Sequence, residues 1–171
     1  MNKAVFLDRD GVINYDDGHV GRIKDFKFLS GVFEAIQKLQ SAGYLIIIVT
    51  NQAGIAKKYF SEDDYRKLTE YMLNKFRAAG IEIKKVYYCP HHQEDNCDCR
   101  KPKIKFLKEA SLEFGIDLNS SWVVGDKLTD VEMGKNAGCK TILIDSKYVN
   151  NIKIEKVKDL LEASHIIINC Q

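Results

Sequence analysis

Ala4-Val5-Phe6-Leu7-Asp8-Arg9-Asp10-Gly11 is the stretch of sequence that decides the fold. Its first four residues form a short apolar run that is typical of a buried strand, and the last four form a polar turn. Parallel α/β sheets bind their ligands beyond the carboxyl ends of the strands. We therefore predict that Asp8 and Asp10 lie at a sheet edge where chemistry takes place.

Further apolar runs suited to strands recur along the chain, with helical patterns between most of them. The predicted strands are residues 4–7, 45–49, 83–88, 122–124, 141–144 and 166–168. The predicted helices, from apolar side chains at helical spacing, are residues 32–39, 65–76, 104–114, 131–137 and 157–161. This alternation predicts an α/β protein, a three-layer α/β/α sandwich around a mainly parallel sheet.

The length and composition predict a single catalytic domain over residues 1–171, with enough chain to bury a core without disulfides. The 26 basic and 24 acidic residues are mixed in order, so no charge block favours nucleic-acid or membrane binding. No apolar stretch approaches the roughly 20 residues of a membrane span. We expect a cytoplasmic monomer that binds neither nucleic acid nor a membrane.

The spacing of Asp8 and Asp10 suits phosphoryl transfer in two steps. Side chains two residues apart on an extended turn point to the same side. Asp8 would attack phosphorus and form an aspartyl phosphate, while Asp10 would protonate the leaving alkoxide and then deprotonate the attacking water. An isolated pair of this kind is equally compatible with a solvated turn, so the interpretation depends on further groups.

Two acids beside a phosphate dianion require a divalent cation, because like charges repel strongly at short range. Asp126 ends the apolar run 122–125 and supplies a third carboxylate at a strand end, in keeping with the oxygen ligands of Mg²⁺. Asp130, one helical turn later, either binds the cation through water or orients a lysine. The alternative for both acids is a helix cap with a charge in the first turn.

The transferring phosphoryl group also needs hydrogen-bond donors and a positive charge. Thr50 and Asn51 follow the apolar run 45–49 and offer a hydroxyl, an amide and backbone N–H groups. Lys101 is the preferred lysine because Cys99 and Pro102 restrain it, whereas most other lysines lie on predicted helical faces. Taken alone, Thr50-Asn51 is equally compatible with a simple turn, and Lys101 with a surface charge. The joint occurrence of all these signals indicates a catalytic site.

A second metal site is predicted in the irregular segment 89–102. Cys89, His91, Cys97 and Cys99 form two short chelating arms separated by five residues. Three thiolates and an imidazole complete a tetrahedral shell with no open position, which indicates a structural Zn²⁺. His92 is the alternative to His91 as the fourth ligand.

The zinc ion would position the basic residues Arg100 and Lys101, which follow the last ligand directly. The other two cysteines, Cys139 and Cys170, have no neighbouring partners in the sequence. We predict that both are ordinary buried thiols.

Four segments resemble the motifs of the haloacid dehalogenase (HAD) superfamily of phosphohydrolases. They are Phe6-Leu7-Asp8-Arg9-Asp10-Gly11, Val49-Thr50-Asn51-Gln52, Arg100-Lys101-Pro102 and Gly125-Asp126-Lys127-Leu128-Thr129-Asp130. The resemblance covers nearly the whole chain and implies a Rossmann-like HAD fold. It implies Asp8 as nucleophile and Asp10 as acid and base. It also implies Mg²⁺ bound by Asp8, the main-chain carbonyl of Asp10 and Asp126, with Thr50 and Lys101 holding the phosphoryl group.

The predicted elements leave no room for a cap domain. Between Asp10 and Thr50 there is only a loop, a helix and a strand, and between Thr50 and Lys101 a helix, a strand and the zinc loop. We expect selectivity to come from loops.

Capless members of the superfamily with such a zinc loop look like two families, the D-glycero-D-manno-heptose 1,7-bisphosphate 7-phosphatases and the histidinol-phosphate phosphatases. Residues 14–20, 25–28, 51–56, 87–92 and 125–127 resemble the heptose enzymes more closely. That resemblance implies contacts with the sugar and its second phosphate from Asp16, Asp17, Gly18, His19, Asn51, Gln52, Ala53, Arg100 and Lys127.

Two features depart from the heptose pattern. His19 stands where that family usually has tyrosine, and the five-residue gap between His91 and Cys97 is the short form typical of the histidinol enzymes. The basic Arg100 and Lys127 favour a substrate with a second anionic group over a cationic amino alcohol. The expected substrate is therefore a small phosphorylated sugar, heptose bisphosphate, whose 1-phosphate product serves nucleotide-heptose synthesis. The alternative substrates are histidinol phosphate and a nucleic-acid 3′-phosphate. A further alternative is that the protein is a non-catalytic zinc module.

Overall fold

In the computed structural model, which describes residues 1–170, five strands form one sheet and five α-helices cover it. The strands are β1 (Lys3–Leu7), β2 (Tyr44–Asn51), β3 (Ile83–Cys89), β4 (Trp122–Gly125) and β5 (Lys140–Leu143). The helices are α1 (Val32–Ser41), α2 (Glu62–Ala78), α3 (Lys105–Phe114), α4 (Leu128–Ala137) and α5 (Leu160–Asn169). Short 3-10 helices lie at Ile23–Asp25, Gln93–Asp95 and Leu118–Ser120.

The sheet has the order β3-β2-β1-β4-β5, and every neighbouring pair is parallel. The chain therefore extends from the central β1 to β2 and β3 on one side, and to β4 and β5 on the other. The order reverses between β1 and β4, where open α/β sheets form a ligand-binding crevice at their carboxyl ends. Asp8 directly follows β1 and Asp126 directly follows β4, so both acids lie at this crevice.

Two apolar cores lie on opposite faces of the sheet, and β1 contributes to both. Val5 and Leu7 pack in the core that includes α1, α2 and α5, whereas Ala4 and Phe6 pack in the core that includes α3 and α4. Burial on both faces explains why the strands appear in the sequence as continuous apolar runs rather than alternating ones. The predicted three-layer α/β/α fold is confirmed.

Two predictions near the end of the chain are wrong. Residues 166–168, predicted as a strand, lie inside α5, and the helix predicted over 157–161 begins only at Leu160. A run of isoleucines favours a strand locally. In the structure, however, Leu160, Ala163 and Ile167 are buried at helical spacing. Packing of this helical face outweighs the local preference.

The two isolated cysteines differ in exposure. Cys139 is buried as predicted, but the prediction for Cys170 is wrong because this residue is exposed. Cys170 caps the end of α5, beyond the last buried residue of the helix, Ile167.

Across residues 1–170, no helix combines the length and the apolar character needed to cross a bilayer.

Candidate active site

Asp8 is buried at the carboxyl end of β1, with its side chain held by two donors. Its Oδ1 accepts a hydrogen bond from the Arg9 backbone N–H at 2.8 Å and lies 2.8 Å from Lys101 Nζ. Burial alone would disfavour the charge, but the ammonium of Lys101 brings the pKa of Asp8 below its ordinary value. Asp8 is therefore ionised at neutral pH, as a carboxylate nucleophile requires.

The ammonium of Lys101 is buried with three oxygen partners. Nζ lies 2.8 Å from Asp8 Oδ1 and 2.7 Å from Asp130 Oδ1, and it donates to the Val49 carbonyl at 3.0 Å. The Lys101 backbone N–H donates to Asn51 Oδ1 at 3.1 Å. Burial opposes the charge of Lys101, but the two carboxylates raise its pKa, so it stays protonated. Of the two roles open to Asp130, this geometry favours orientation of the lysine.

Asp126 lacks the hydrogen bonds that a buried carboxylate needs. Both of its oxygens are buried without a hydrogen-bond partner in residues 1–170, and the nearest ion-pair contact is Lys127 Nζ at 3.8 Å. Burial, together with the charge of Asp8, raises the pKa of Asp126 to about 8. Oxygens of Asp8, Asp126 and Asp130 lie within 4.8 Å of one another. This donor set fits a hard divalent cation such as Mg²⁺, which would satisfy the unpartnered oxygens.

Two glycines allow these carboxylates to approach the backbone. Gly11 has a φ of +86°, and a Cβ there would lie 2.2 Å from Asp126 Oδ2. A Cβ at Gly125 would lie 2.2 Å from the Cβ of Asp130. Any larger residue at either position would displace an acid from the crevice.

The Asp10 carboxylate is held by three side chains. It accepts hydrogen bonds from Arg9 Nη2 at 2.9 and 3.1 Å, from Asn14 Nδ2 at 2.9 Å and from Gln52 Nε2 at 2.9 Å. Gln52 Nε2 also donates to Thr50 Oγ1 at 2.9 Å, which connects Asp10 to the end of β2. Sequence reasoning missed the roles of Arg9 and Asn14, although both lie within four residues of Asp10.

An open cleft of about 450 Å³ lies over these acids. It brings together most of the predicted site residues, namely Asp8, Asp10, Asp16, Gly18, His19, Asn51, Gln52, Ala53, Arg100, Lys101 and Lys127. The predicted residues Thr50, Asp126 and Asp130 are buried beneath it, and Asp17 is exposed outside its lining. The catalytic and binding roles of these residues stay predictions.

Sequence reasoning missed several residues of the cleft wall. They come from segments far apart in the chain, most of them loops, and include Lys57, Gln93, Asn96, Lys103, Thr129 and Tyr148. Thr129 lies inside the motif at 125–130, but no local pattern marks the other five, because they reach the cleft only when these segments converge. The side chain of Lys57 is exposed, and its ammonium makes no ion pair within residues 1–170.

Lys127 contributes a second ammonium to the cleft. Its Nζ lies 3.7 Å from Asp16 Oδ2 and 3.8 Å from Asp126 Oδ1. Burial opposes its charge, but Asp8 and Asp126 raise the pKa of Lys127. Arg100 adds a further cation, and its Nη1 donates to the His91 carbonyl at 3.4 Å. The cleft therefore offers positive charge beyond that of Lys101.

The predicted zinc ligands converge in the segment after β3. The Sγ atoms of Cys89 and Cys97 are 3.6 Å apart and those of Cys97 and Cys99 3.7 Å, while His91 Nδ1 lies 3.5 Å from Cys89 Sγ and 3.3 Å from Cys99 Sγ. A disulfide needs about 2.05 Å. A zinc tetrahedron with bonds of about 2.3 Å to sulfur has S···S edges of about 3.8 Å. The donor set therefore fits Zn²⁺, and the geometry favours His91 over His92.

Comparison with known proteins gives consistent matches. A family model described as HAD-hydrolase-like matches residues 98–160. The D-glycero-beta-D-manno-heptose-1,7-bisphosphate 7-phosphatase of Pasteurella multocida is 45% identical over 175 residues, covering 94% of this chain and 95% of that protein. The D-glycero-alpha-D-manno-heptose-1,7-bisphosphate 7-phosphatase of Campylobacter jejuni is 46% identical over 142 residues, covering 83% and 81%.

Solved structures match over nearly the whole chain. The D,D-heptose 1,7-bisphosphate phosphatase from B. bronchiseptica, complexed with magnesium and phosphate, has a TM-score of 0.90 and 27% identity, with 99% of both chains covered. The enzyme of the same name from Burkholderia thailandensis has a TM-score of 0.72 and 26% identity, covering 98% of this chain and 99% of that one.

Replacing Asp126 with asparagine is expected to stabilise the magnesium-free protein at neutral pH. The pKa of Asp126 is raised from 3.8 to about 8 in the folded protein. The folded state thus disfavours the carboxylate, and wild-type stability falls as pH rises from about 4 to about 8. In magnesium-free buffer at about pH 7, the free energy of unfolding in urea should be a few kcal/mol higher for Asp126→Asn than for the wild type. This difference should disappear near pH 4.

The matched control is Asp145→Asn, because Asp145 is an exposed carboxylate after β5. Its stability should follow that of the wild type across the same pH range. Added Mg²⁺ should stabilise the wild type more than the Asp126→Asn variant. An Asp126→Asn protein that is less stable than wild type at every pH would contradict the interpretation.

Proposed function

Because the chain belongs to the D-glycero-D-manno-heptose-1,7-bisphosphate 7-phosphatases of the HAD superfamily, we propose that it removes the C7 phosphate of this sugar bisphosphate. It is a phosphoric monoester hydrolase, and its product would be heptose 1-phosphate for nucleotide-heptose and lipopolysaccharide synthesis. The observation that carries the proposed reaction is the Asp8–Lys101 pair beside the unpartnered carboxylate of Asp126.

In the first proposed step, an Asp8 carboxylate oxygen attacks the phosphorus at C7. The bond from phosphorus to the C7 oxygen breaks, and the phosphoryl group is transferred to form an aspartyl phosphate. Asp10, in its protonated form, gives its proton to the leaving alkoxide. The contacts of Asp10 with Arg9, Asn14 and Gln52 hold its carboxyl group in the cleft, and because all three are donors they fit the ionised form that Asp10 takes once it has given up this proton.

In the second proposed step, water hydrolyses the aspartyl phosphate. Asp10, now ionised, takes a proton from the water as its oxygen attacks phosphorus, and the bond to Asp8 breaks. Inorganic phosphate leaves, Asp8 is restored as a carboxylate, and Asp10 is again protonated. Lys101 and Thr50 would stabilise the negative charge on the phosphoryl oxygens in both steps.

We assign the catalytic cation to Mg²⁺, held by the side chains of Asp8 and Asp126 and by the Asp10 carbonyl. When bound, Mg²⁺ neutralises charge between the acids and the phosphate and polarises the phosphoryl oxygens. The two orphaned oxygens of Asp126 support this assignment. Asp130 contributes indirectly, because it holds the ammonium of Lys101.

A structural Zn²⁺ is proposed for Cys89, His91, Cys97 and Cys99. The clustering of their ligand atoms within 4.8 Å supports it. The ion would fix segment 89–102, and with it Arg100 and Lys101, without taking part in the chemistry.

The remaining cleft residues would bind the rest of the sugar phosphate. Arg100 and Lys127 are proposed to receive the second phosphate through charge-assisted hydrogen bonds. The sugar hydroxyls would contact the two other predicted groups, Asp16, Asp17, Gly18 and His19 on one loop and Asn51, Gln52 and Ala53 at the end of β2. The predicted monomeric state and cytoplasmic location belong to the same proposal.

Substrate preference provides the direct test. With Mg²⁺ present, purified protein should release phosphate from heptose 1,7-bisphosphate with a kcat/KM at least about 100-fold above that for histidinol phosphate, because the second phosphate contributes charged hydrogen bonds. Both anomers should be assayed, with a 3′-phosphorylated oligonucleotide as the negative control. Faster hydrolysis of histidinol phosphate would overturn the substrate assignment.

Replacing Asp8 with asparagine should reduce turnover by at least about a thousandfold, because the amide is not a nucleophile. Urea unfolding should report an intact fold. Asp63→Asn serves as the matched control, since Asp63 is exposed in the first turn of α2. If the Asp8→Asn protein kept wild-type turnover, the covalent mechanism would be wrong, and if no phosphate ester were hydrolysed by the wild type, the non-catalytic zinc module would be favoured.

The zinc site is tested by comparing two buried cysteines. Wild-type protein should contain about one zinc ion per chain by elemental analysis, and Cys99→Ser should lose most of it. Activity should fall as well, because Lys101 lies two residues after this ligand. Cys139→Ser should keep both zinc and activity, since Cys139 lies outside the cluster. Equal zinc contents in the two variants would refute the assignment.

A further inference from the structure

The loop between β5 and α5 reaches back to the cleft through two consecutive residues. The hydroxyl of Tyr148 donates a hydrogen bond to Asp16 Oδ2 at 2.7 Å. Lys147 Nζ donates to the Asp16 backbone carbonyl at 3.0 Å. These contacts join parts of the chain that are 132 and 131 residues apart. Both the side chain and the backbone of Asp16 are therefore held from the same loop.

The ring of Tyr148 has a second partner in the cleft. Lys127 Nζ lies 4.4 Å from the ring centroid, within the range of a cation–π contact. The same ammonium is 3.7 Å from Asp16 Oδ2 and 3.8 Å from Asp126 Oδ1. Lys127 is thus held by one aromatic face and two carboxylates, and Tyr148 contacts two of the cleft's charged groups at once.

We propose that Lys147 and Tyr148 form a strap that positions Asp16 and Lys127 for the sugar bisphosphate and so contributes to substrate selectivity. The proposal rests on the proposed function and deepens it. Lys147 and Tyr148 are positioning residues, because they act through Asp16 and Lys127 rather than on the reacting atoms.

The loop that carries Asp16 is anchored on both sides of this residue, by the Tyr15 N–H, which donates to the Lys27 carbonyl at 3.0 Å, and by the rings of His19 and Tyr59, whose centroids are 4.7 Å apart. Residues 17–19 are exposed, and Gly18 and His19 both have positive φ values, +85° and +50°. The Asp16 side chain makes one contact inside its own loop, from the Gly18 N–H to Oδ1 at 3.1 Å. At Asp16 itself, the hydrogen bonds from Lys147 and Tyr148 at 3.0 and 2.7 Å are shorter than the 3.7 Å ion-pair contact with Lys127, so the strap supplies the tighter long-range restraint on this acceptor.

The protonation states suit this arrangement. Burial, together with the bond to Asp16, raises the pKa of Tyr148 to about 12, so its hydroxyl remains a donor at neutral pH. Burial of Asp16 opposes ionisation, but the Tyr148 hydrogen bond and the charge of Lys127 keep the pKa of Asp16 below its ordinary value. Asp16 thus stays an anionic acceptor, with capacity left for a sugar hydroxyl.

The strap meets the catalytic centre only through Lys127, whose Nζ lies 3.8 Å from Asp126 Oδ1. Asp8 and Lys101 are fixed by Asp130 and by the backbone, and Asp10 by its own neighbours. Loss of the strap should therefore weaken binding of the sugar and the distant phosphate while leaving the chemical step largely intact.

Kinetics with two substrates distinguish this role from general destabilisation. Tyr148→Phe removes the hydroxyl and keeps the ring, Tyr148→Leu removes both, and Lys147→Met removes the bond to the backbone. Tyr148→Phe should lower kcat/KM for heptose 1,7-bisphosphate about tenfold, mainly through KM, and Tyr148→Leu should lower it further. With a small aryl phosphate that does not reach Asp16, kcat/KM should change by less than about twofold.

The matched controls are Tyr71→Phe and Lys153→Met. Tyr71 packs on α2 against Phe26, away from the cleft, and Lys153 is exposed in the same loop as the strap. Both controls should keep wild-type kinetics on both substrates. An equal loss on both substrates in Tyr148→Phe would overturn the positioning role.

Hydrogen exchange of the substrate-free protein provides a readout that does not depend on the substrate. Peptides covering residues 14–20 should exchange faster in Tyr148→Phe and Lys147→Met than in wild type and in the controls. Unchanged exchange there would overturn the strap. If exchange increases but the wild-type protein does not hydrolyse heptose bisphosphate, the proposed function fails while the restraint on Asp16 stands.

Discussion

The site depends on the ion pairs that the buried ammonium of Lys101 makes with Asp8 and Asp130. Three carboxylates converge at the crevice between β1 and β4, and without compensation their mutual repulsion would oppose folding. Lys101 contacts two of them directly, Asp8 and Asp130. The third, Asp126, has no hydrogen-bond partner among residues 1–170, and the Lys127 ammonium lies 3.8 Å from it, so two ammonium groups face three carboxylates. The demand for a divalent cation follows from this imbalance of charge.

The position of Lys101 also connects the chemistry to the zinc loop. Lys101 follows Cys99 by two residues, and its backbone N–H is bound by Asn51 at the end of β2. The lysine therefore depends on the folding of a segment that contributes few residues to either apolar core. A metal ion that binds this segment would stabilise its fold, which the apolar cores do little to stabilise. In the proposed function, the stabilised segment holds the ammonium of Lys101 in the active site.

The parts of the site that lie at strand ends could be predicted from the sequence, because parallel strands bring their carboxyl ends to one edge. Asp8, Thr50 and Asp126 belong to this group. The choice of partner for Asp130 could not be predicted, since it depends on how far the Lys101 side chain reaches in three dimensions. Tyr148 has no motif at all, and its contact with Asp16 spans 132 residues. The prediction of a strand at 166–168 was wrong because it relied on the local β preference of isoleucine. In the structure the buried residues of this segment recur at helical spacing.

The separation between the catalytic acids and the groups proposed to bind the second phosphate bears on how the anomers of the substrate would be distinguished. Relatives of similar identity, 45% and 46%, carry the beta and the alpha names. The anomers differ at C1, whereas the reaction takes place at C7, so Asp8, Asp10 and Lys101 would meet the same chemistry in both. In the proposed function, discrimination between the anomers would therefore arise where the second phosphate is bound. In the proposed function that phosphate lies between Arg100, placed by the zinc loop, and Lys127, placed by the strap. Anomeric preference would then depend on how these two loops set the separation and direction of the two cations.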